Sequence, residues 1–142
     1  MQISIYRQET KYRIRDTGKL KLFLKSLFKK ESTDLQSVDL ILCSDEFLLG
    51  INRQFLKHDF YTDIITFNLA LSNAPVIGEL YISIDRVREN AGIQGTGINY
   101  ELHRVIFHGC LHLCGYKDKL KKDIKIMREK ENIYLKRYFS IT

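Results

Sequence analysis

Tryptophan is absent, and proline occurs once, at Pro75, among 142 residues that carry eight scattered glycines. That scarcity excludes a Pro/Gly/Ser-rich linker, and no low-complexity tract or repeat divides the chain. One domain over residues 1–142, large enough to bury its own core, is the expectation. No apolar run approaches the roughly 20 residues that cross a bilayer. The N-terminus, MQISIYRQETKYR, has neither the apolar segment nor the cleavage site of a secretory signal. A cytoplasmic protein with no membrane partner is therefore expected. Cysteine is scarce and odd in number, at Cys43, Cys110 and Cys114, which points to reduced thiols rather than a disulfide framework.

What is present in excess is positive charge, a net +6, placed unevenly. Residues 1–30 hold nine Lys/Arg against Glu9 and Asp16, and residues 117–142 hold nine against four acids. Residues 31–100 run the other way, with four basic and ten acidic side chains. Such asymmetry creates positive surfaces that attract polyanions. Charge runs by themselves are equally the mark of solvated helix faces.

Apolar periodicity supplies the elements. Ile3 to Tyr6 reads as a strand. Leu20, Phe23, Leu24, Leu27 and Phe28 form the stripe of an amphipathic helix capped by Asp16 or Thr17, with the intervening lysines in solvent. Val38 to Cys43 alternates like a strand, and Ser44-Asp45-Glu46 opens a helix reaching about Phe55. Ile64–Phe67 and Ile77–Ile84 are β-rich runs separated by a turn with Asn73 and Pro75. Helical patterns follow over about 85–93, 100–114 and 121–138. The sum is an α+β domain with a small mixed sheet of about four strands packed with helices.

Chemistry concentrates in His108-Gly109-Cys110-Leu111-His112-Leu113-Cys114-Gly115-Tyr116-Lys117-Asp118. On a helix, His108 and His112 lie one turn along and about 40° apart, so both imidazoles can meet one ion, whereas Cys110 and Cys114 point elsewhere. Gly115 suits a left-handed helix terminus, after which the chain can reverse and bring Asp118 back to the histidines. Two nitrogens and one oxygen leave a coordination position open for water, as in a catalytic zinc site. The ligand spacing is that of helical zinc proteases, but Gly109 stands where those enzymes place their glutamate base. Peptide hydrolysis by that route is therefore not expected.

This stretch resembles the YbeY family, whose signature reads His-Gly-x-Leu-His-Leu-x-Gly-Tyr followed by Asp-His. Upstream, Asn52, Thr62-Asp63-Ile64-Ile65-Thr66-Phe67 and Gly78-Glu79-Leu80-Tyr81-Ile82-Ser83 are similar to further family blocks in the same order. Together they cover most of residues 38–118. The resemblance implies an endoribonuclease in rRNA maturation and ribosome quality control, with rRNA and ribosomal particles as partners. It also implies one Zn2+ ion on His108, His112 and Asp118; ferrous iron or nickel also suits such ligands. Glu79 aligns with a family acid and is expected either to orient a liganding imidazole or to face solvent.

Two positions depart from the pattern. Asp118 stands where the family's third ligand is usually histidine, a mild change for zinc. Leu56 stands where the family has a basic residue that can hold phosphate oxygens. Arg53, a turn earlier, is the candidate substitute, with Lys57 and His58 as further RNA contacts. A ribosome-assembly module whose metal organises the fold remains the alternative reading.

Overall fold

The computed structural model describes residues 1–140. Strand β1 (Gln2–Gln8) leads to helix α1 (Thr17–Lys30), strand β2 (Leu35–Cys43) and helix α2 (Asp45–Leu56). Strands β3 (Ile64–Asn68) and β4 (Val76–Ser83) follow, then α3 (Ile84–Gln94), α4 (Ile98–Leu113) and α5 (Lys121–Tyr138). The strands form one mixed sheet in the order β1-β2-β4-β3. β1, β2 and β4 run parallel, and β3 pairs antiparallel with β4, Ile64 opposite Ile82.

Local chemistry sets the boundaries. Asp16 caps α1 by accepting from the Lys19 amide, and Ser44 does the same for Phe47 at the start of α2. Ser83 caps α3 through the Arg86 amide. Ile84 consequently begins a helix instead of ending β4, one residue short of the strand expected there.

α1 and α4 cover one face of the sheet. Leu20, Leu24, Leu27 and Phe28 of α1 meet Val38, Leu40 and Leu42 of β2 and Leu80 and Ile82 of β4 in the main core. Each such side chain contributes about 1.5–3 kcal/mol on burial. α2 lies on the opposite face, where Leu48 packs with Cys43 and Ile65, bordered by Phe47, Phe67 and Tyr81. Because β2 is covered on both sides, Leu40 to Cys43 are all buried rather than alternating.

α4 approaches the sheet closely at Gly109. A Cβ there would stand 2.7 Å from Ile64 Cδ1 and 3.0 Å from Leu80 Cδ2. Glycine lets the histidine-bearing helix lie against β3 and β4. α5 then packs on the outer side of α4 through Met127, Tyr134, Leu135 and Tyr138.

Candidate metal centre

α4 ends as its sequence predicts. Gly115 adopts φ +101°, its N–H bonds the His112 carbonyl at 3.0 Å, and the Tyr116 N–H bonds the Leu111 carbonyl at 3.1 Å. This paired reversal is a Schellman turn, which needs glycine at the left-handed position. It sends the chain back over the last turn of α4 and delivers Asp118 to the histidines.

The result is one point of convergence. Asp118 Oδ2 lies 3.2 Å from Nε2 of His108 and 3.2 Å from Nε2 of His112. The two rings stand 4.6 Å apart at 85° to each other. Donor atoms of a tetrahedral zinc site with bonds of ~2.0–2.1 Å are separated by about 3.3 Å, so this triad can hold a metal ion.

The outer nitrogens are already committed. His108 Nδ1 donates to Glu131 Oε2 at 2.6 Å, and His112 Nδ1 donates to the Tyr116 carbonyl at 2.9 Å. These acceptors fix the tautomer and turn each Nε2 lone pair inward. Two lone pairs and a carboxylate oxygen aimed at one spot repel unless a cation or protons lie between them. Burial of His108 works against its charged form. The hydrogen bond and charge of Glu131, with Asp118 and Asp63, outweigh that and raise His108 above its usual value.

Each acceptor is itself anchored. Glu131 is buried on α5 and takes Arg104 Nη1 at 3.3 Å, while Arg104 Nε stands 3.4 Å from the buried Glu101. Tyr116 donates its hydroxyl to Glu31 at 2.7 Å, and Glu31 also accepts from Lys130 at 3.3 Å and from Tyr134. The far end of α1 therefore sets the carbonyl that orients His112.

A hollow lined by Lys117, Lys119 and Lys122 reaches His112 and Asp118, and two more meet at the triad. One, about 350 Å³, runs toward α3 and α5 past Asp63, Glu101, Arg104 and Arg128. The other, a groove of about 690 Å³, is walled by Asn52, Leu56, His58, Phe60 and Lys119. Asn52, buried on α2, donates its side-chain amide to the Phe60 carbonyl at 2.9 Å, and its backbone carbonyl accepts from the His58 amide at 3.2 Å. It thereby pins the loop that carries His58, stacked on Phe60 with ring centres 5.1 Å apart, at the groove. Asp63 lines both hollows, and burial pushes its carboxyl above the usual range, with His108 pulling the other way.

Several expected residues sit elsewhere. Arg53 is exposed and bonds Asp59 at 2.5 Å. Asn52 and Leu56, four apart, take the groove-facing side of α2, and Arg53 is absent from the groove wall. Lys57 is the left-handed cap of α2, φ +58°, exposed and likewise outside that wall. Glu79 does not reach either histidine. Strand alternation puts its neighbour Leu80 toward α4 and Glu79 itself on the α2 face, where Tyr81 donates to it at 3.2 Å. Glu131 holds the imidazole instead.

Glu131 left one trace in the sequence: an acid within the buried stripe Met127, Glu131, Tyr134, Leu135, Tyr138, where a solvated carboxylate has no place. His103 is a core residue, its Nδ1 2.7 Å from the Asn99 carbonyl and its ring stacked on Tyr138. Cys110 is fully buried, and burial pushes the Cys114 thiol up to about 11. Neither joins the triad.

Fold and site together define a small α+β protein with a two-histidine, one-carboxylate triad on a helix end, able to hold a metal ion beside open hollows. Comparison with known proteins supplies the family. The profile described as Endoribonuclease YbeY matches residues 3–139, well beyond the 38–118 stretch that carries the motifs. Endoribonuclease YbeY of Cytophaga hutchinsonii is 44% identical over 133 residues, 94% of this chain and 93% of that protein. The protein of the same name from Flavobacterium psychrophilum is 40% identical over 131 residues, 92% and 93% of the two chains. A solution structure of TM1509 from Thermotoga maritima superposes with a TM-score of 0.69 at 32% identity, covering 95% of this chain and 89% of that one. The chain belongs to the endoribonuclease YbeY family, whose members are hydrolases of the nuclease class.

Proposed function

We propose that this protein is a metal-dependent endoribonuclease acting on rRNA during maturation and ribosome quality control, with one zinc ion held by His108, His112 and Asp118. The observation that carries the reading is the convergence of two pre-oriented Nε2 atoms on Asp118 Oδ2, each 3.2 Å away. A divalent cation bound there supplies an acidified water and polarises a phosphoryl oxygen. Ferrous iron and nickel suit the same donors.

The chain's own residues do the rest. Glu131 and the Tyr116 carbonyl hold the two imidazoles in their metal-facing tautomer. His58 and Lys119, on the groove wall, are placed to meet the RNA strand beside the triad. Arg53 and Lys57, exposed on α2 and its cap, are further RNA contacts in this reading. Cytoplasmic ribosomal particles are the proposed setting, and among the described residues no helix is long and apolar enough to cross a membrane.

A second reading draws on one observation: Leu56 lines the groove where the family carries a basic residue. In that reading the protein is a ribosome-assembly module and the metal organises its fold. Cleavage of structured rRNA by highly purified protein, compared with an Asp118→Ala/His112→Ala variant, separates the two. Loss of cleavage in the variant supports the enzyme. Equal cleavage by both sinks it, and particle binding that survives the double substitution favours the assembly module.

A further inference from the structure

The smaller hollow at the triad is poor at capturing a polyanion. Asp63, Glu101, Asp118 and Glu131 line the smaller hollow with Arg104 and Arg128. Arg104 is engaged by Glu101 and Glu131, and Arg128 stands 3.4 Å from Glu131. Carboxylates outnumber guanidinium groups there, so a nucleic-acid backbone gains little long-range attraction at the cluster itself.

Lys117, Lys119 and Lys122 line a further hollow beside His112 and Asp118, and a second group of cations lies at the other edge of the sheet. β1 and β3 are its two outer strands, three strand spacings or about 14 Å apart at ~4.8 Å each. The triad sits by β3, because α4 rests on Ile64 and Leu80. By β1, two adjoining hollows of about 570 and 400 Å³ share Ile5, Arg7 and Arg13 and are completed mainly by Lys11, Ile14 and Lys21. No acidic residue lines either one. Among the described residues, none of these four cations forms an ion pair, and Arg7, Lys11 and Arg13 are exposed. A concave surface with two arginines, two lysines and no internal counter-charge fits a run of phosphates, which guanidinium groups hold bidentately.

We propose that this hollow at the β1 edge is an anchoring site for RNA backbone phosphates, separate from the His108–His112–Asp118 cluster. It holds a structured RNA by its backbone, without reading sequence, while another part of the same molecule enters the groove at the triad. The proposal rests on the RNA-directed reading above, but its test reads binding and not cleavage.

The test compares wild-type holoprotein with Arg7→Gln/Lys11→Gln/Arg13→Gln on a structured rRNA fragment, by fluorescence anisotropy between 50 and 300 mM salt. RNA integrity is checked on a denaturing gel. Each lost phosphate contact removes about 0.7–0.9 from the log–log salt slope, so the triple variant should lower it by about 2–3 and weaken binding at least tenfold at low salt. Unchanged affinity and slope on the long RNA overturn the proposal. So does a variant that loses binding to anionic vesicles but keeps binding to RNA. Protein that cleaves nothing yet shows the slope change keeps the anchoring site and removes only the nuclease reading.

Discussion

His108 Nδ1 lies 2.6 Å from Oε2 of Glu131, the acid in the buried stripe of α5. That contact ties the last long helix of the fold to the metal-facing tautomer of a helix-borne histidine. Glu131→Gln keeps the shape and removes the charge-assisted acceptor. We expect metal affinity to fall about 10–100-fold, the usual cost of losing such a partner, measured by competition with a chromophoric chelator. An unchanged affinity would show that α5 only packs.

The Tyr116–Glu31 contact, 2.7 Å between residues 85 apart in sequence, gives a pH prediction. Burial pushes Glu31 up, but hydrogen bonds from Tyr134, Tyr116 and Lys130 outweigh it and hold the carboxyl below its ordinary 4.5. A depressed folded-state value means the contribution is present above the unfolded value. It declines as pH drops below about 4.5 and is lost through the lower folded value. Glu31→Gln should therefore be less stable than wild type at pH 7, with the gap closing in acid. Urea melts from pH 3 to 7 decide it, and a gap that widens in acid contradicts the assignment.

Tyr116→Phe isolates one bond of the same clamp. It should cost about 0.5–1.5 kcal/mol of stability, the net value of one hydrogen bond. If the clamp also fixes the carbonyl that orients His112, the visible spectrum of the cobalt-substituted protein should change as well. Lower stability with an identical spectrum would confine the clamp to folding.

Gly109→Glu would restore the residue order of the zinc proteases, yet we expect neither peptidase activity nor a stable fold. Its Cβ would meet Ile64 Cδ1 at 2.7 Å and Leu80 at 3.0 Å, and its carboxylate would enter an apolar contact. Overpacking and burial of an unpartnered charge together should cost more than about 3 kcal/mol. Thermal melting measures this, and near-wild-type stability would refute the close approach.

Much of the site was legible because it is local. His108, His112, Gly115 and Asp118 lie within eleven residues, and helix geometry plus one glycine turn brings them together. The element order was legible for the same reason, since each stripe or alternation is self-contained. What escaped depends on tertiary docking. Glu131 becomes a histidine partner only when α5 packs on α4, and Glu31 only when α1 meets the turn after α4. Glu79 stayed open between two roles because alternation says that neighbours face opposite ways without saying which way faces α4. Arg53 was placed by helical spacing with Leu56, but Asp59 from the following loop engages its guanidinium, and Arg53 does not line the groove.

The most direct measurement is metal stoichiometry after chelation and reconstitution, followed in the same samples by cleavage of structured rRNA. The account predicts one zinc per wild-type chain, loss of cleavage when the metal is stripped, and recovery of both on adding one equivalent. Asp118→Ala/His112→Ala should recover neither. A stripped protein that cleaves at the original rate, or a double variant that still binds one tight equivalent, would contradict it.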